Sequence, residues 1–337
     1  MYYNNKDVRL EEMPTPQIGP GEVLMKSLAC GICGSDVMEW YRIHKAPLVL
    51  GHEATGEIVK VGEGVKRFKE GDRIFVSHHV PCNTCHYCLH GNHTVCDTLR
   101  TTNFDPGGFA EYVRVPEINV DRGVFILPDD LSLEDGTFIE PLACVVRGQR
   151  LARIEPGQTI VVIGSGISGL LHILLARASG AGKIIATDIS EYRMEMAEKL
   201  GADSIISAHD DLPSRLLKLN GNRLADRVIA TTGAVPALNT AIKSVDRGGT
   251  VLFFAPGGPD VELPVPFNDF WKNCITLMPT YGASPVDIEV AIELLGSGRV
   301  PVQEMITHRL GLAETGRGFN LVTDAKESVK VIIEPHR

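Results

Sequence analysis

The stretch Thr159-Ile-Val-Val-Ile-Gly164-Ser-Gly-Ile-Ser-Gly169 decides the fold of this chain. An apolar strand pattern runs into three glycines spaced Gly-x-Gly-x-x-Gly, and an apolar helical pattern follows. Such a turn presents backbone N–H groups at the N-terminus of the helix, where they can bind a pyrophosphate. We predict that Gly164 makes the tight turn, Gly166 lets the phosphate approach, and Gly169 lets helix and strand pack closely.

A carboxylate follows the next strand candidate, Lys183–Thr187. Asp188 lies 19 residues beyond Gly169, where it can accept hydrogen bonds from both ribose hydroxyls of a dinucleotide and repel a 2′-phosphate. We therefore predict NAD rather than NADP; the alternative is that Asp188 caps a helix beginning near Ser190. Arg193 could stack on adenine or attract a phosphate, which would permit some use of NADP. The predicted cofactor-binding residues are Gly164, Ser165, Gly166, Ile167, Ser168, Gly169, Asp188, Ile189, Arg193 and Thr231.

The residues around this stretch extend the same pattern. From about residue 147, strand candidates alternate with helical stretches such as Ile167–Ser179 and Glu191–Leu200. The alternation predicts right-handed βαβ units around a parallel sheet, hence a doubly wound α/β Rossmann domain over residues 147–281. The strand candidates are Thr159–Ile163, Lys183–Thr187, Arg227–Ala230, Thr250–Phe254 and Cys274–Met278.

The two flanks have a different character. Residues 1–146 carry short strand candidates separated by Gly and Pro turns, which predicts a β-rich domain. Residues 282–337 begin with a helix candidate, Pro285–Leu295, and continue as a mixed tail. The N-terminal strand candidates are Val23–Leu28, Ile58–Val61, Arg73–Val76 and Ala110–Val115.

Charge and composition narrow the classes of function. The 337 residues carry a formal charge of −9, so broad attraction to nucleic acid or anionic lipid is not expected. The N-terminus, Met1-Tyr2-Tyr3, lacks the pattern of a signal peptide, and no apolar run approaches the ~20 residues of a membrane span. We therefore expect a cytoplasmic protein that acts on a small molecule and keeps its eight cysteines reduced.

Four of these cysteines form a cluster within residues 78–100. The spacing Cys82-x2-Cys85-x2-Cys88-x7-Cys96 lets four thiolates bind one tetrahedral Zn²⁺. All ligands would then be protein groups, which leaves no position for a substrate and predicts a structural zinc. Two disulfides or unconnected thiols are the alternative, which the cysteine spacing and a reducing compartment disfavour. The histidines of this segment are interpreted as solvated loop residues: His86, His90 and His93.

A second candidate metal site is dispersed along the chain. Cys33 lies in Gly31-Ile32-Cys33-Gly34-Ser35-Asp36, and His52-Glu53 follows Gly51. Thiolate and imidazole suit a catalytic zinc, which keeps one position open, and neighbouring carboxylates could ligate it or orient its ligands. On spacing alone, Cys33 could instead be a small buried hydrophobe and His52 a core residue.

In combination, these motifs resemble the zinc-dependent medium-chain dehydrogenase/reductase family. The stretch Gly51-His52-Glu53-Ala54-Thr55-Gly56, followed by Gly62 and Val65, is similar to the family's zinc signature. The Cys33 segment, the four cysteines, Gly108-Phe109-Ala110-Glu111-Tyr112 and the glycine-rich turn occur in the family's order. The resemblance covers nearly the whole chain. It implies a GroES-like catalytic domain completed by the C-terminal tail, with an active site in the cleft between the domains.

Within the family, Ile139-Glu140-Pro141-Leu142-Ala143 resembles the sorbitol (polyol) dehydrogenase branch. This resemblance implies a catalytic zinc held by Cys33, His52 and Glu53. Glu140 would be its direct or water-mediated partner, and Cys144, four residues later, is a rival ligand. The implied cofactors are two zinc ions, one catalytic and one structural, and NAD.

Two positions depart from the family pattern. Related enzymes carry His five residues after the zinc cysteine, where this chain has Met38, and the polyol branch often has an Arg-Tyr pair where this chain reads Thr280-Tyr281. We expect Ser35 to accept the proton of the alcohol, with Asp36 bracing the turn. Ser35 as an ordinary turn residue is the alternative. The residues assigned to the substrate pocket are Trp40, Phe104 and Tyr281.

The expected reaction is hydride transfer from a secondary alcohol to NAD⁺, which leaves a ketone. A polyol, sugar or sugar-derived alcohol is the leading substrate class; a simple secondary alcohol, threonine or an aldose is the alternative. A phosphorylated polyol would require basic residues in the pocket, and Arg147 and Lys272 are the candidates.

Two further expectations concern other classes of protein that could share these motifs and the number of chains in the assembly. A non-catalytic dinucleotide-binding redox sensor is the alternative from a different class. A zinc-independent quinone reductase conflicts with the six thiol and imidazole candidates. The resemblance also implies a homodimer or homotetramer that pairs through the last strand, near Cys274–Met278.

Overall fold

The computed structural model describes all residues, Met1–Arg337, and these form two compact units. The first unit comprises Met1–Ala143 and Ala283–Arg337, and the second comprises Cys144–Gly282. The first boundary lies within a single helix, Ile139–Leu151. No helix combines the length and apolar character needed to cross a membrane.

The first unit is built on a seven-stranded sheet. Its strand order is β14-β15-β3-β4-β5-β7, and β6 pairs with β3. All pairs are antiparallel except β14 with β15, and β1 and β2 form a separate hairpin pair. The strands are β1 (Tyr2–Asn4), β2 (Asp7–Val8), β3 (Val23–Gly31), β4 (Glu53–Val61), β5 (Arg73–Val76), β6 (Tyr112–Val115), β7 (Val124–Ile126), β14 (Ile306–Gly311) and β15 (Lys330–Glu334).

Short helices connect these strands. They are α1 (Glu39–Arg42), α2 (His86–Leu89), α3 (Asp97–Thr101), α4 (Glu117–Gly123), α5 (Leu133–Gly136), α12 (Pro285–Gly296) and α13 (Thr315–Asp324). Short 3₁₀ segments occur at Ile43–Lys45, His93–Val95, Gln303–Met305 and Leu312–Glu314. Alternate residues of the strands point into one core, which includes Val23, Met25, Ile58, Ile74 and Val331, as expected for antiparallel strands with one buried face.

The second unit is a parallel sheet with helices between its strands. The strand order is β10-β9-β8-β11-β12-β13. This is the doubly wound order, in which strands are added first on one side of β8 and then, from β11 onward, on its other side. Its strands are β8 (Thr159–Ile163), β9 (Lys183–Asp188), β10 (Ser204–Ser207), β11 (Ala225–Ala230), β12 (Val245–Phe253) and β13 (Thr276–Pro279). Its helices are α6 (Ile139–Leu151, shared with the first unit), α7 (Ile167–Ala178), α8 (Glu191–Lys199), α9 (Leu212–Leu219), α10 (Val235–Ser244) and α11 (Phe267–Asn273).

The last strand starts later than the sequence predicted. Cys274 is not in β13: it closes α11 in a left-handed conformation with φ 52°, and its N–H bonds to carbonyls in the last turn of that helix. A left-handed residue at a helix end satisfies carbonyls that have no intrahelical partner. The helix therefore extends through Asn273, and the strand begins at Thr276.

A buried ion pair fixes the C-terminal strand of the first unit to its N-terminal part. Lys330, the first residue of β15, donates from Nζ to Glu53 Oε2, and both side chains are inaccessible to solvent. The Lys330 ammonium also donates to Thr137 O at 3.3 Å and lies 4.8 Å from the ring centre of Phe138. Gly31 lies between the two charged groups. A Cβ on this residue would collide with both the Glu53 carboxylate and Lys330 Nζ, so the pair requires glycine here.

Replacing the ammonium should destabilise the first unit. In Lys330→Met the Glu53 carboxylate stays buried without its counter-charge, so we expect the free energy of unfolding to fall by about 3–5 kcal/mol. The chain has two tryptophans, one in each unit. Urea unfolding in a Trp271→Phe background, followed by Trp40 fluorescence, therefore reports on the first unit.

The matched control is Lys326→Met, which removes an exposed lysine four positions earlier. We expect Glu53→Gln combined with Lys330→Met to recover part of the loss, because neither charge of this pair then remains buried without its partner. Equal unfolding midpoints for Lys330→Met and Lys326→Met would contradict a stabilising role for the pair.

Candidate active site and metal centres

Adjacent strand ends bring Cys33 and His52 together. In the antiparallel pair β3–β4, Gly31 is opposite Glu53 and Cys30 is opposite Ala54. The chain leaves β3 through a turn closed by the bond from Asp36 N to Cys33 O at 3.0 Å. The register therefore places the thiol, 19 positions away in sequence, beside the imidazole at the start of β4.

The ligand atoms of Cys33, His52 and Glu53 all lie within 4.8 Å of one another. One thiol, one imidazole and one carboxylate form a donor set that zinc accepts, and three protein ligands leave a position open. Glu53 Oε1 is buried and has no hydrogen-bond partner, as expected for an oxygen that faces a cation. The residues present therefore fit the zinc ion that the sequence analysis predicts.

A buried carboxylate orients the imidazole. Asp36 Oδ1 lies 3.3 Å from His52 Nδ1, while Asp36 Oδ2 accepts from Cys33 N at 3.1 Å. Asp36 thus contacts both predicted zinc-binding residues, and the other ring nitrogen of His52 is the one available to a metal. Asp36 does more than brace the turn, the role that the sequence assigned to it.

Electrostatics inside this group are strong because the charges are buried. Burial alone would raise the pKa of Asp36, but His52 and Arg42 hold it below its ordinary value. Burial alone would lower the pKa of His52, but Asp36 and then Cys33 raise it well above its ordinary value. Without a metal, the anionic neighbours attract a proton to the imidazole. A divalent cation would satisfy the same negative potential.

Ser35 lies on the same turn and is held by Arg42, the last residue of α1. Arg42 Nη2 donates to Ser35 Oγ at 3.0 Å, and Arg42 Nε donates to Ser35 O at 2.9 Å. The same Nη2 lies 3.5 Å from Asp36 Oδ1. Met38, the N-cap residue of α1, has no group that can carry a proton. Arg42 is therefore the cation that fixes the Ser35 hydroxyl.

The remaining residues predicted around the catalytic zinc are placed differently. Glu140 and Cys144 are half-buried on α6, and neither belongs to the group of ligand atoms formed by Cys33, His52 and Glu53. Of the predicted pocket residues, Phe104 is buried in the first unit, and Trp40 is exposed in that unit. Tyr281 is exposed and belongs to the second unit.

A second imidazole stands beside His52. The β4–β5 register pairs Ala54 with Val76, so its continuation brings His78 opposite His52. Their ring centres are 4.9 Å apart. His79 stacks on His78 with ring centres 3.9 Å apart, and Phe104 presents its edge at 6.5 Å. Burial and then the neighbouring imidazoles lower the pKa of His78 well below its ordinary value.

The four-cysteine cluster converges on one point. All four Sγ atoms lie within 4.8 Å of one another, and Sγ of Cys88 lies 4.0 Å from that of Cys82 and 3.5 Å from that of Cys85. Tetrahedral zinc–sulfur bonds of about 2.3 Å place ligands about 3.8 Å apart, whereas a disulfide requires about 2.05 Å. No disulfide forms among the eight cysteines. The thiols therefore fit a metal ion and not two disulfides.

Backbone groups in this lobe favour thiolates. N–H groups of Thr84 and Cys85 donate to Cys82 Sγ, which lowers the pKa of Cys82 to about 5. Burial and the neighbouring thiols raise the pKa of Cys88 to about 12. Four sulfurs this close cannot all ionise unless a cation compensates their charge.

The glycine-rich turn of the second unit has the predicted geometry. Gly164 has φ +92°, which residues with a side chain rarely adopt. A Cβ on Gly169 would collide with the carbonyl oxygen of Gly164, so the third glycine allows α7 to approach the end of β8. Thr231, the residue after β11, donates from Oγ1 to Gly164 O at 2.8 Å and fixes the turn.

The predicted ribose carboxylate lies next to this turn. Asp188, at the end of β9, accepts from Ser165 N at 2.6 Å and from Ser190 N at 2.9 Å. Ser190 itself is the N-cap of α8, so Asp188 supports the cap from outside the helix. The Arg193 guanidinium lies over Gly166, 3.7 Å from the position a Cβ would take. Ile167 and Ser168 begin α7, and Ile189 is exposed.

Three residues near the candidate metal group were not predicted from the sequence: Lys330, Arg42 and His78. Lys330 is 277 positions from Glu53, and no local pattern links them. The other two residues had weak signals in the sequence. Arg42 follows Met38 by one helical turn, and His78 follows a strand that pairs with the strand beginning next to His52. Using those signals requires knowing which strands pair.

Comparisons with known proteins agree with this arrangement. The alcohol dehydrogenase GroES-like domain matches residues 19–128, and the zinc-binding dehydrogenase domain matches residues 168–297. Sorbitol dehydrogenase of Bacillus subtilis (strain 168) is 33% identical over 99% of this chain and 96% of its own. Probable D-xylulose reductase A of Aspergillus clavatus is 34% identical over 97% and 93%.

A solved structure extends the similarity to the complete fold. The crystal structure of a putative zinc-binding dehydrogenase from Sinorhizobium meliloti 1021, bound to NADP, matches with a TM-score of 0.88 and 28% identity over 99% of this chain and 97% of that chain. These matches confirm the predicted fold class, a Rossmann domain plus a β-rich GroES-like domain. The chain therefore belongs to the zinc-dependent medium-chain dehydrogenase/reductase family, in its sorbitol (polyol) dehydrogenase-like branch.

Proposed function

We propose that this protein oxidises a secondary alcohol of a polyol, sugar or sugar-derived substrate to a ketone, with NAD⁺ as hydride acceptor and zinc as the catalytic metal. The observation that carries the proposal is the convergence of Cys33, His52 and Glu53 within 4.8 Å. The names of the relatives, sorbitol dehydrogenase and D-xylulose reductase, support the substrate class.

The side chains around the metal group have separable tasks. A zinc ion held by Cys33, His52 and Glu53 would supply Lewis acidity, which lowers the pKa of an alcohol hydroxyl. Asp36 contacts Nδ1 of His52 at 3.3 Å, which would leave the other ring nitrogen to bind the metal. Lys330 binds one oxygen of Glu53 and leaves the other as a ligand. Glu140 remains a proposed direct or water-mediated partner.

Ser35 can accept the alcohol proton even though Met38 replaces histidine. A hydroxyl has two acceptor lone pairs and one donor. Arg42 Nη2 occupies one lone pair at 3.0 Å, the second can accept from the alcohol, and the Ser35 O–H would give its own proton to a ribose hydroxyl of the bound cofactor and from there to water. The guanidinium also stabilises any negative charge that develops on the oxygen.

The cofactor preference follows from Asp188. Its carboxylate is fixed by two backbone N–H groups, and a buried negative charge there opposes a 2′-phosphate. Arg193 lies nearby and acts in the opposite direction, and a structural relative binds NADP. We propose NAD as the preferred cofactor, with NADP as a weaker one.

We also propose that the protein forms a homodimer or homotetramer. Strand β13 pairs only with β12 and so has one open edge, which favours pairing with another strand. The adjacent helix α11 exposes Phe267 and Trp271, at 76% and 73%. The eight reduced cysteines agree with the proposed cytoplasmic location.

Removing the imidazole ligand should abolish turnover without unfolding the chain. For His52→Ala we expect a loss of kcat/KM of at least about 100-fold, because the metal contributes several kcal/mol to the transition state. The measurement is nicotinamide absorbance over a panel of polyols, sugars and secondary alcohols, with NAD binding checked by fluorescence. His209→Ala, at an exposed position of the second unit, is the control. Undiminished turnover in His52→Ala, or in fully chelated enzyme, would reject a catalytic zinc.

Zinc content should separate the two metal centres. Cys88→Ser should lower the bound zinc from about two to about one per chain, because the lobe then lacks a complete set of thiolates. Elemental analysis after gel filtration measures this. Cys274→Ser, an exposed cysteine outside both groups, should keep both ions. A zinc content that Cys88→Ser leaves unchanged would mean that the lobe is not a zinc site.

Removing the charge of Asp188 should shift the cofactor preference. Asp188→Asn keeps an oxygen that can accept from Ser165 N–H but loses the repulsion of a 2′-phosphate. We expect the ratio of kcat/KM for NAD⁺ to that for NADP⁺ to fall roughly 10- to 100-fold, the effect of a charged hydrogen bond. Asp210→Asn, at an exposed position beyond β10, is the control. An unchanged ratio would exclude Asp188 as the discriminating residue.

A further inference from the structure

We propose that His78 recognises a second hydroxyl, adjacent to the one that is oxidised, and so selects vicinal diols over simple secondary alcohols. This inference rests on the proposed function, since it concerns the substrate of the same site. Nothing in the zinc-binding group requires a second histidine at this position.

His78 is anchored through its backbone, because Asn119 Nδ2 donates to its carbonyl oxygen at 3.0 Å. It follows β5 by two residues, and the β4–β5 register brings it opposite His52. The ring centres of the two imidazoles lie 4.9 Å apart. A side chain at this distance from a metal ligand can reach a substrate atom next to the one that the metal binds.

The neighbours of His78 hold its ring in place. His79 stacks against it with ring centres 3.9 Å apart, and His79 is itself anchored by Nδ1 to Thr102 O at 3.0 Å. The edge of Phe104 closes a further side at 6.5 Å between ring centres. The ring is thus pre-organised, as a residue that determines specificity must be.

One atom of the ring lacks a partner. His78 Nδ1 is buried and makes no hydrogen bond in the protein, although buried polar atoms are almost always satisfied. This nitrogen is therefore available to a ligand. The rings of His79 and His52 flank the His78 ring, with ring centres 3.9 Å and 4.9 Å away. An imidazole nitrogen can donate to or accept from a hydroxyl, according to its tautomer, and a polyol carries such a hydroxyl on the carbon next to the one that is oxidised.

The alternative role, a fourth metal ligand, is less compatible with the geometry. The atoms that converge within 4.8 Å are those of Cys33, His52 and Glu53, and His78 is not among them. A fourth protein ligand would also close the position that a catalytic zinc keeps for substrate. Metal content decides between the two roles.

The test uses two alcohols that differ by one hydroxyl, butane-2,3-diol and butan-2-ol. His78→Phe keeps an aromatic ring but removes the nitrogen, and His78→Asn returns a polar group near the position of Nδ1. His209→Phe is the control for introducing phenylalanine. Each holoenzyme is assayed for zinc content, for kcat/KM with both alcohols, and for binding of butane-2,3-diol to the NADH-saturated enzyme by calorimetry.

For His78→Phe we expect full zinc content, kcat/KM for butan-2-ol within about twofold of the parent, and kcat/KM for butane-2,3-diol lowered roughly tenfold. The Kd of the diol should rise by a similar factor. His78→Asn should recover part of both losses, and His209→Phe should change neither.

Equal losses on both alcohols, an unchanged diol preference, or loss of zinc in His78→Phe would each overturn the proposal. Failure of the proposed function looks different: the parent enzyme would then oxidise neither alcohol nor any other member of the panel. In that case zinc content and the calorimetric Kd still decide whether His78 binds a diol.

Discussion

The pairing of β3 with strands on both sides is the constraint on which the rest of the first unit depends. Gly31 is opposite Glu53 of β4 on one side and Ile332 of β15 on the other. Because Gly31 has no side chain, the Glu53 carboxylate and the Lys330 ammonium meet across the strand. A shift of one residue in either pairing would reverse which side chains face this point. The segments that supply the zinc-binding residues are thereby fixed to the C-terminal strand.

Charge compensation explains how so many ionisable groups share a buried region. Lys330 neutralises Glu53, Arg42 and His52 face Asp36, and Asp36 in turn accepts from the backbone of Cys33. Isolated buried charges would be strongly unfavourable. Each group here has an opposite charge or a hydrogen-bond donor. The Oε1 atom of Glu53 makes no hydrogen bond, and a bound metal ion would be its partner.

In the second unit, the glycine-rich turn depends on the close approach of backbone segments. Gly164 and Gly169 allow the end of β8 and the start of α7 to lie against each other, and Thr231 joins them from a neighbouring strand. Asp188 completes this edge by accepting from the turn itself. Hydrogen bonds from a side chain and from the backbone therefore hold this edge in place.

The sequence by itself determined the features that local spacing encodes: the glycine-rich turn after β8, the carboxylate at the end of β9, and the four thiols of the lobe. Each depends on residues a few positions apart, so periodicity and turn chemistry suffice. The tertiary structure alone decided which distant groups meet. Strand register set Lys330 against Glu53 and His78 against His52, and packing of α1 set Arg42 against Ser35. No short-range pattern records such pairings, because they arise only when the sheet of the first unit assembles.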